Sequence, residues 1–243
     1  MFGNSLARVV LGAGGMTWRS SIALACLAVA GVAAQRDQGA WTSALTSTTG
    51  LTMHGAVASV VTHKGKQAVR LVEAAGYNGE PYAIVSGPSF LDGRIEADIA
   101  GEPGAGAPDT ARGFVGLAFR VQDSGFECFY IRPTNGRADD QLRRNHSTQY
   151  ISFPDFPWER LRRETPGVYE SYTDLVTAEW THVRIEVHGQ RAELYVGSAS
   201  QPTLIVKDLK RPVGPGSVAL WIGLNTVGHF RDLRVTPAAA ASR

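Results

Sequence analysis

Apolar and polar side chains alternate along two neighbouring segments, Trp180–His188 and Arg191–Val196. Because successive side chains of a strand point to opposite faces, this period of two predicts two strands that each bury one face. Only Gly189 and Gln190 separate them, which predicts a tight reversal and an antiparallel hairpin. In this register Ile185 faces the core and its immediate neighbours face water.

Further short runs compatible with strands recur between Gly and Pro residues, and no segment shows a convincing helical period. These runs are Gln67–Glu73, Tyr82–Val85, Arg94–Ile99, Phe114–Arg120, Phe126–Ile131, Ser217–Ile222 and Phe230–Val235. Strands in such close succession are typical of a β-sandwich or barrel and not of alternating strands and helices. We therefore predict an all-β sandwich of two packed antiparallel sheets.

The N-terminus predicts an export signal. Arg8 and Arg19 precede the apolar run at 21–32, which has the length of a signal-peptide core and is too short to span a bilayer. Small residues next to Ala34 suit cleavage at that point, so we expect residues 1–34 to be a signal peptide and the mature protein to be secreted or periplasmic. The alternative is an uncleaved leader, which would be the protein's only membrane contact.

Behind the leader the sequence divides into three parts. Residues 35–65 are rich in Thr, Ser, Ala and Gly, which predicts a loosely structured segment, although 56–62 could pair as an edge strand. Residues 66–237 hold the predicted sandwich, and residues 238–243 are a predicted flexible tail. Removal of the leader leaves Cys128 as the one cysteine, so we expect no intramolecular disulfide.

Composition narrows the choice of partners. The chain carries 24 Lys and Arg against 22 Asp and Glu, a formal net charge of +2, whereas nucleic-acid-binding domains are usually strongly basic. No glycine-rich phosphate loop follows a strand, and no His, Cys or carboxylate residues stand at metal-ligand spacing. We therefore expect no nucleic-acid partner, no cofactor and no metal.

The segment Pro133–Thr177 is unusual, because it is a long stretch of Pro, Arg and aromatic residues with only one short extended piece at Gln149–Ser152. Structureless loops of that length are uncommon in compact domains unless they are functional or disordered. The many aromatic residues argue against disorder. We predict an ordered insertion that packs onto the sandwich.

This insertion concentrates side chains suited to sugar recognition. Arginine offers a planar fork of donors for vicinal hydroxyls or a carboxylate, and aromatic rings offer flat faces for sugar rings. We predict a cleft for a carbohydrate ligand with these contact residues: Arg132, Asn135, Arg137, Arg143, Asn145, Tyr150 and Trp158. His146 is the candidate catalytic residue, because an imidazole titrates near neutral pH. The alternative is that the arginines pair with Asp139, Asp140 and Glu159 and only hold the loop in place.

One predicted strand carries paired carboxylates. Glu96 and Asp98 project from the same face, and glycoside hydrolysis needs such a pair. The pattern resembles the Glu-x-Asp-x-x-Glu strand of family 16 glycoside hydrolases. The third acid, Glu102, is one residue too far along and follows a glycine, so it is out of register. We therefore do not place a catalytic site on this strand.

Five framework stretches carry a wider resemblance: Phe90–Glu96, Gly113–Arg120, Trp180–Val187, Ala192–Val196 and Val218–Gly223. They resemble the laminin G-like and concanavalin A-like domains, particularly the bacterial 3-keto-disaccharide hydrolase-like domain family. The resemblance implies a concanavalin-like jelly-roll sandwich with one long ordered loop insertion. It specifies the fold better than the activity, because such sandwiches include lectins, hydrolases and adhesion modules.

Three functions follow as hypotheses. The first is a carbohydrate-handling domain with hydrolase or lyase action on an oligosaccharide or a 3-keto sugar. The second is a non-catalytic glycan-binding or adhesion module. The third is a structural envelope protein with no small ligand. A pocket with a desolvated carboxylate, or with His146 within reach of several arginines, favours the enzyme. A shallow aromatic groove without a perturbed acid favours the binding module.

Overall fold

The structure, a computed structural model, describes residues 39–123 and 125–239. The predicted signal peptide at 1–34 and residues 240–243 of the predicted tail lie outside the described residues. The strands are β1 Trp41–Ser43, β2 Leu51–His54, β3 Ala56–His63, β4 Lys66–Glu73, β5 Tyr82–Phe90, β6 Gly93–Pro103, β7 Val115–Gln122, β8 Gly125–Ile131, β9 Thr148–Phe153, β10 Glu170–Ser171, β11 Thr181–His188, β12 Arg191–Val196, β13 Leu204–Val206, β14 Gly216–Ile222 and β15 Thr226–Pro237. The helices are α1 Gln141–Asn145 and α2 Trp158–Glu164, with a 3-10 helix at Pro133–Asn135.

The strands form two antiparallel sheets. Sheet A has the order β13-β12-β11-β6-β15-β4-β3, with β1 also paired to β15, and sheet B has the order β10-β9-β8-β7-β14-β5-β2. Apolar side chains from both sheets form one buried cluster. This arrangement confirms the predicted all-β sandwich.

The hairpin of β11 and β12 has the predicted register. Val183 lies opposite Val196 and Ile185 lies opposite Leu194. Ile185 is fully buried, whereas the next residue, Glu186, keeps part of its side chain in solvent. Alternation in the sequence therefore identifies the buried face of this hairpin correctly.

Residues 39–65 are more ordered than the loose segment predicted for 35–65, and the edge strand that the sequence allowed at 56–62 is present as β3. Within residues 39–65, β1 pairs with β15, β2 pairs with β5, and β3 pairs with β4 along its whole length. These strands lie at or beside sheet edges and bury only part of one face, so their sequences show little apolar alternation. Pairing with a neighbouring strand supplies the hydrogen bonds that order them.

The insertion at 133–177 is ordered, as predicted, but it contains helices that the sequence analysis does not predict. Helices α1 and α2 have only 5 and 7 residues. Such lengths are too short to show a helical period, and packing must stabilise them. Within the residues that the structure describes, no helix is long and apolar enough to cross a membrane.

One row of residues crosses sheet B from edge to edge. Its members lie opposite one another on successive strands: His54, Tyr82, Trp221, Gly116, Tyr130, Gln149 and Glu170. Their neighbours Val115 and Ile222 lie against Gly228 of sheet A. Because adjacent residues of a strand point to opposite faces, the row faces away from sheet A. We call this set the sheet B row.

Candidate functional site

A cavity of about 430 Å³ opens where the insertion meets the end of sheet B. Its walls come from the loop before β7, the residues after β8, and the two helices α1 and α2. The lining residues are Thr110, Arg112, Phe114, Arg132, Asn135, Asp140, Leu142, Arg143, His146, Trp158 and Arg162. The structure therefore brings together five residues of the predicted site, namely Arg132, Asn135, Arg143, His146 and Trp158. We call this space the arginine cavity.

Arg132 is the most enclosed cation of the arginine cavity, with 3% of its surface exposed. Its guanidinium donates to the His146 carbonyl at 3.1 Å, the Tyr130 hydroxyl at 2.9 Å and Gln149 Oε1 at 3.1 Å. It also lies 5.6 Å from the centroid of the Trp158 ring. Tyr130 and Gln149 belong to the sheet B row, so the sheet itself positions this side chain.

Glu170 of β10 links the parts of the insertion behind the cavity. Its buried carboxylate accepts a hydrogen bond from Arg162 Nη2 at 2.6 Å and lies 3.1 Å from His146 Nε2. Arg132 Nη1 is 3.8 Å from the same carboxylate. One buried acid thus contacts Arg132 directly after β8, His146 directly after α1, and Arg162 in α2, which makes it the main electrostatic support of the site.

The environment of His146 favours its neutral form. Partial burial lowers the pKa of His146 from the usual 6.5; the Glu170 carboxylate opposes this effect, and the positive charges of Arg162 and Arg132 add to it. Because a carboxylate only accepts hydrogen bonds, Nε2 of the neutral ring carries the proton and Nδ1 is the acceptor. A neutral imidazole of this kind suits proton transfer as well as hydrogen bonding to a ligand.

Helix α1 presents Arg143 to the cavity. Asp140 caps the helix by accepting a hydrogen bond from the Arg143 backbone N at 2.6 Å. The Arg143 side chain donates to Asn135 Oδ1 at 3.0 Å and to Thr134 Oγ1 at 3.1 Å, and Asn135 in turn donates to the His146 carbonyl at 3.0 Å. Across the described residues, the Arg143 guanidinium therefore has neutral oxygens as its partners and no carboxylate.

Helix α2 supplies an aromatic wall. Leu161 is buried and anchors the helix, while Trp158 begins it. Arg162 follows Trp158 by four residues, a spacing that places both on one helix face, and its guanidinium lies 4.7 Å from the ring centroid. A flat ring and a planar donor group therefore stand side by side in the cavity wall.

A second cavity of about 280 Å³ adjoins the first and shares Thr110, Phe114 and Trp158 with it. Two members of the sheet B row, Tyr130 and Trp221, form its floor, and their rings lie 4.7 Å apart. The two rings meet above Gly116, at which a Cβ atom would lie 2.5 Å from Tyr130 Cβ. The absence of a side chain at this glycine therefore allows the aromatic floor to form.

Glu80 lies in the second cavity and accepts a hydrogen bond from Trp221 Nε1 at 2.8 Å. Burial raises the pKa of Glu80 above its usual 4.5; the hydrogen bond from Trp221 opposes this rise, and the negative charge of Glu159 adds to it. Glu159 lines the same cavity. The second cavity thus holds two carboxyl groups, of which one is stabilised in its protonated form.

Three residues of the predicted site lie elsewhere. Arg137 is exposed and pairs with Asp174 at 2.7 Å. Tyr150 follows Gln149 on β9 and so points to the opposite face of the sheet, where it is fully buried. Asn145 is exposed at the end of α1 and borders a neighbouring groove. The prediction of a single shared cleft needs correction for these three, and Arg137 fits the alternative in which an arginine only holds the loop.

Four important residues are missed by the sequence analysis, namely Glu80, Arg112, Arg162 and Glu170. The spacing of Trp158 and Arg162 is a usable signal, but only after α2 has been recognised as a helix. Glu80 and Glu170 acquire their roles through pairing between strands distant in sequence, so no local pattern marks them.

Two groups of titratable residues lie away from these cavities. Glu96 and Asp98 are on β6 of sheet A. Within the described part of the chain, His63, Glu102 and His229 each offer a ligand atom within 4.8 Å of the others. The two imidazole rings are stacked with 15° between their planes, and His63 Nε2 lies 2.7 Å from the carbonyl oxygen of Ala178.

Comparisons with known proteins identify the fold. No family model and no curated protein matches the chain. A Bacillus subtilis protein of unknown function with a galectin-like fold is similar in structure, with a TM-score of 0.51, 12% identity, and coverage of 82% of this chain and 96% of that chain. The Crh5 transglycosylase in complex with NAG is also similar, with a TM-score of 0.50, 13% identity, and coverage of 83% and 85%. The chain therefore has a concanavalin A-like jelly-roll fold, while the resemblance to the 3-keto-disaccharide hydrolase-like family stays a prediction.

Proposed function

We propose that the protein binds an oligosaccharide in the cleft formed by the two adjoining cavities. The observation that carries this proposal is Trp158, whose ring borders both cavities and lies 5.6 Å from the Arg132 guanidinium and 4.7 Å from that of Arg162. A sugar ring has apolar C–H faces that pack on an aromatic ring and hydroxyl groups that accept from arginine. The solved transglycosylase of similar fold, which is in complex with NAG, agrees with this choice of ligand class.

A glycan array tests binding. We expect the protein to retain at least one oligosaccharide, and Trp158→Ala to weaken that interaction by about tenfold, the effect of roughly 1.4 kcal/mol of lost contact energy. Arg137→Ala is the matched control, because Arg137 is exposed outside the cleft. The proposal fails if no glycan binds, or if the control weakens binding as much as Trp158→Ala.

Hydrolysis is a second candidate function, favoured specifically by Glu80. Burial raises the pKa of Glu80, and a protonated carboxyl group can protonate the leaving oxygen of a glycosidic bond. A second carboxylate, here Glu159, can activate the attacking water. His146 in the arginine cavity is a further proton-transfer group. The buried acid fits the enzyme better than it fits a purely passive binding module.

Hydrolysis assays on 3-keto and unmodified disaccharides, and on every glycan retained by the array, test this candidate. We expect Glu80→Gln to abolish product formation while affinity changes little, because Gln retains the acceptor for Trp221. If the unmodified protein releases no product from any retained glycan, the binding module is the correct function.

We also propose that the protein is exported. The support is the apolar run at 21–32 behind Arg8 and Arg19, followed by small residues before Gln35. N-terminal sequencing of the protein from its native host should give a start at or near Gln35. A mature product that still contains residues 24–29 would contradict cleavage.

A further inference from the structure

The arginine cavity has more positive charge than its own carboxylates balance. Four guanidinium groups line it, from Arg112, Arg132, Arg143 and Arg162, whereas Asp140 is the one acid in its wall. Glu170 lies behind the wall and is occupied by its hydrogen bonds to Arg162.

Asp140, the acid in the cavity wall, does not neutralise the excess positive charge of the arginines. Asp140 Oδ1 accepts from the backbone N of Arg143 and so caps α1. No ion pair joins Asp140 to a guanidinium group in the described parts of the chain. Three cations therefore have mainly neutral partners.

The partners of these three cations are backbone carbonyls and uncharged side chains. Arg112 Nη1 donates to the carbonyls of Asp109 and Ala111. Arg143 donates to Asn135 and Thr134.

Arg132 is held in the same way, by the Tyr130 hydroxyl, Gln149 Oε1 and a carbonyl, and its nearest carboxylate oxygen is on Glu170 at 3.8 Å. Its side chain is 4% exposed, so this charge is almost fully enclosed. Arg112 and Arg143 are only partly buried, but cations of like charge still repel one another, and a bound anion would relieve the repulsion. Burial lowers the pKa of Arg112, the nearby charges of Arg143 and Arg132 lower it further, and the negative charge of Asp109 opposes this effect in part.

The apolar part of the cavity wall indicates which kind of anion fits the cavity. Trp158 and Phe114 give the cavity apolar surface beside the charged groups, and an inorganic anion alone would leave that surface uncovered. A planar carboxylate matches the paired N–H donors of a guanidinium, and a sugar ring attached to it would cover the Trp158 face. A sugar that carries a carboxylate supplies both the planar anion and the ring.

We propose that the arginine cavity is a subsite for an acidic sugar, with a uronate carboxylate among Arg112, Arg132 and Arg143 and the sugar ring on Trp158. This inference rests on the proposed function and names its ligand class. The carboxylate takes the N–H groups that face the cavity. Arg112 and Arg143 thereby gain a charged partner, and Arg132 gains a second one beside Glu170. Neutral sugars can stack on Trp158 but leave these charges uncompensated.

Calorimetric titration with matched ligands tests the assignment. The probes are oligogalacturonate, its methyl ester, oligomannuronate and the neutral oligomannoside. We expect at least one uronate to bind about tenfold or more tightly than its uncharged counterpart. The preference should weaken as salt concentration rises, because the attraction is electrostatic.

Two variants and a control locate the effect. Arg143→Gln and Arg112→Gln should each lower affinity for the acidic ligand by a larger factor than affinity for the uncharged ligand, and so remove most of the preference. Arg137→Gln should leave both affinities unchanged. Melting temperatures of all three variants show whether each is folded, and the Arg112 variant keeps the test valid if Arg143→Gln fails to fold.

Each other outcome overturns the assignment. Equal or tighter binding of the uncharged ligands refutes the acidic subsite and leaves the proposed oligosaccharide function standing. Absence of binding by every sugar refutes both. Equal competition by inorganic phosphate, or by a sulfated oligosaccharide, shows a general anion site and also refutes specificity for a uronate.

Discussion

Glu80 and Glu127 are two carboxyl groups whose pKa is raised by burial, and they have different roles. Glu127 is fully buried, accepts from the Tyr150 hydroxyl at 2.5 Å and from the Arg211 backbone N at 2.8 Å, and supports packing. Glu80 lies at a cavity that a ligand can enter. At the residue scale, access therefore distinguishes a candidate functional acid from a structural one, and the raised pKa alone does not.

Replacement of Glu80 by Gln should make stability less dependent on pH. The pKa of Glu80 is raised in the folded protein, so the protonated carboxyl group favours the folded state and the ionised group favours unfolding. The stabilising contribution of the protonated group is therefore lost as pH rises through the folded-state pKa. Glu80→Gln should therefore match the unmodified protein at pH 4 and be more stable at pH 8 in urea unfolding. Asp123→Asn, an exposed change, is the control. A stability difference that shrinks with rising pH would contradict this assignment.

Core and surface positions of β11 should respond very differently to substitution. Ile185→Asp places a charge in a fully buried position and should destabilise the fold by about 4 kcal/mol. Glu186→Gln removes partly exposed ion pairs and should change stability by less than about 1 kcal/mol. Urea unfolding of both variants measures the difference, and the reverse order would show that the register is wrong by one residue.

At the scale of elements, the insertion depends on contacts between short pieces. Helices α1 and α2 are too short to be stable alone. Glu170 of β10 joins them through His146 and Arg162, and Leu161 anchors α2 by burial. The site therefore forms only when these elements are packed against sheet B.

Glu170→Gln should loosen the insertion without unfolding the sandwich. The substitution removes the charge that holds Arg162 and His146, so amides at 141–164 should exchange hydrogen faster while those of β11 and β12 keep their protection. Hydrogen exchange measured by mass spectrometry gives both values. Glu164→Gln, which affects an exposed pair with Arg160, is the control. If hydrogen exchange at 141–164 became equally faster in both variants, Glu170 would not be the residue that supports the insertion.

Strands can be predicted from the sequence where the pattern that defines them lies within one segment. Strands such as β11 and β12 are predictable because alternation within one segment decides which face is buried. The sequence analysis groups Trp158, Arg132 and His146 because aromatic and charged residues in a long insertion are unusual, and the structure brings these three to one cavity. Tyr150 does not join them, and only the pairing of β9 shows that its side chain points to the opposite face of the sheet.

For the whole molecule, the two sheets present different outer surfaces. Sheet A exposes charged pairs, such as Arg94 with Glu186 and Arg191 with Glu193. Sheet B carries the sheet B row, which is partly aromatic. The insertion covers one end of this row and so forms the cleft. A ligand that needs both flat apolar faces and fixed charges therefore fits the outer face of sheet B.

Fluorine NMR of protein labelled with 5-fluorotryptophan tests this account most directly. Trp158 and Trp221 line the cleft, whereas Trp180 lies beside His63 of sheet A, with 5.3 Å between their ring centroids. Single Trp→Phe variants assign the signals, and a glycan retained by the array is then added. The account predicts that the signals of Trp158 and Trp221 shift and that of Trp180 does not. A shift of the Trp180 signal, with those of Trp158 and Trp221 unchanged, would contradict the location of the site.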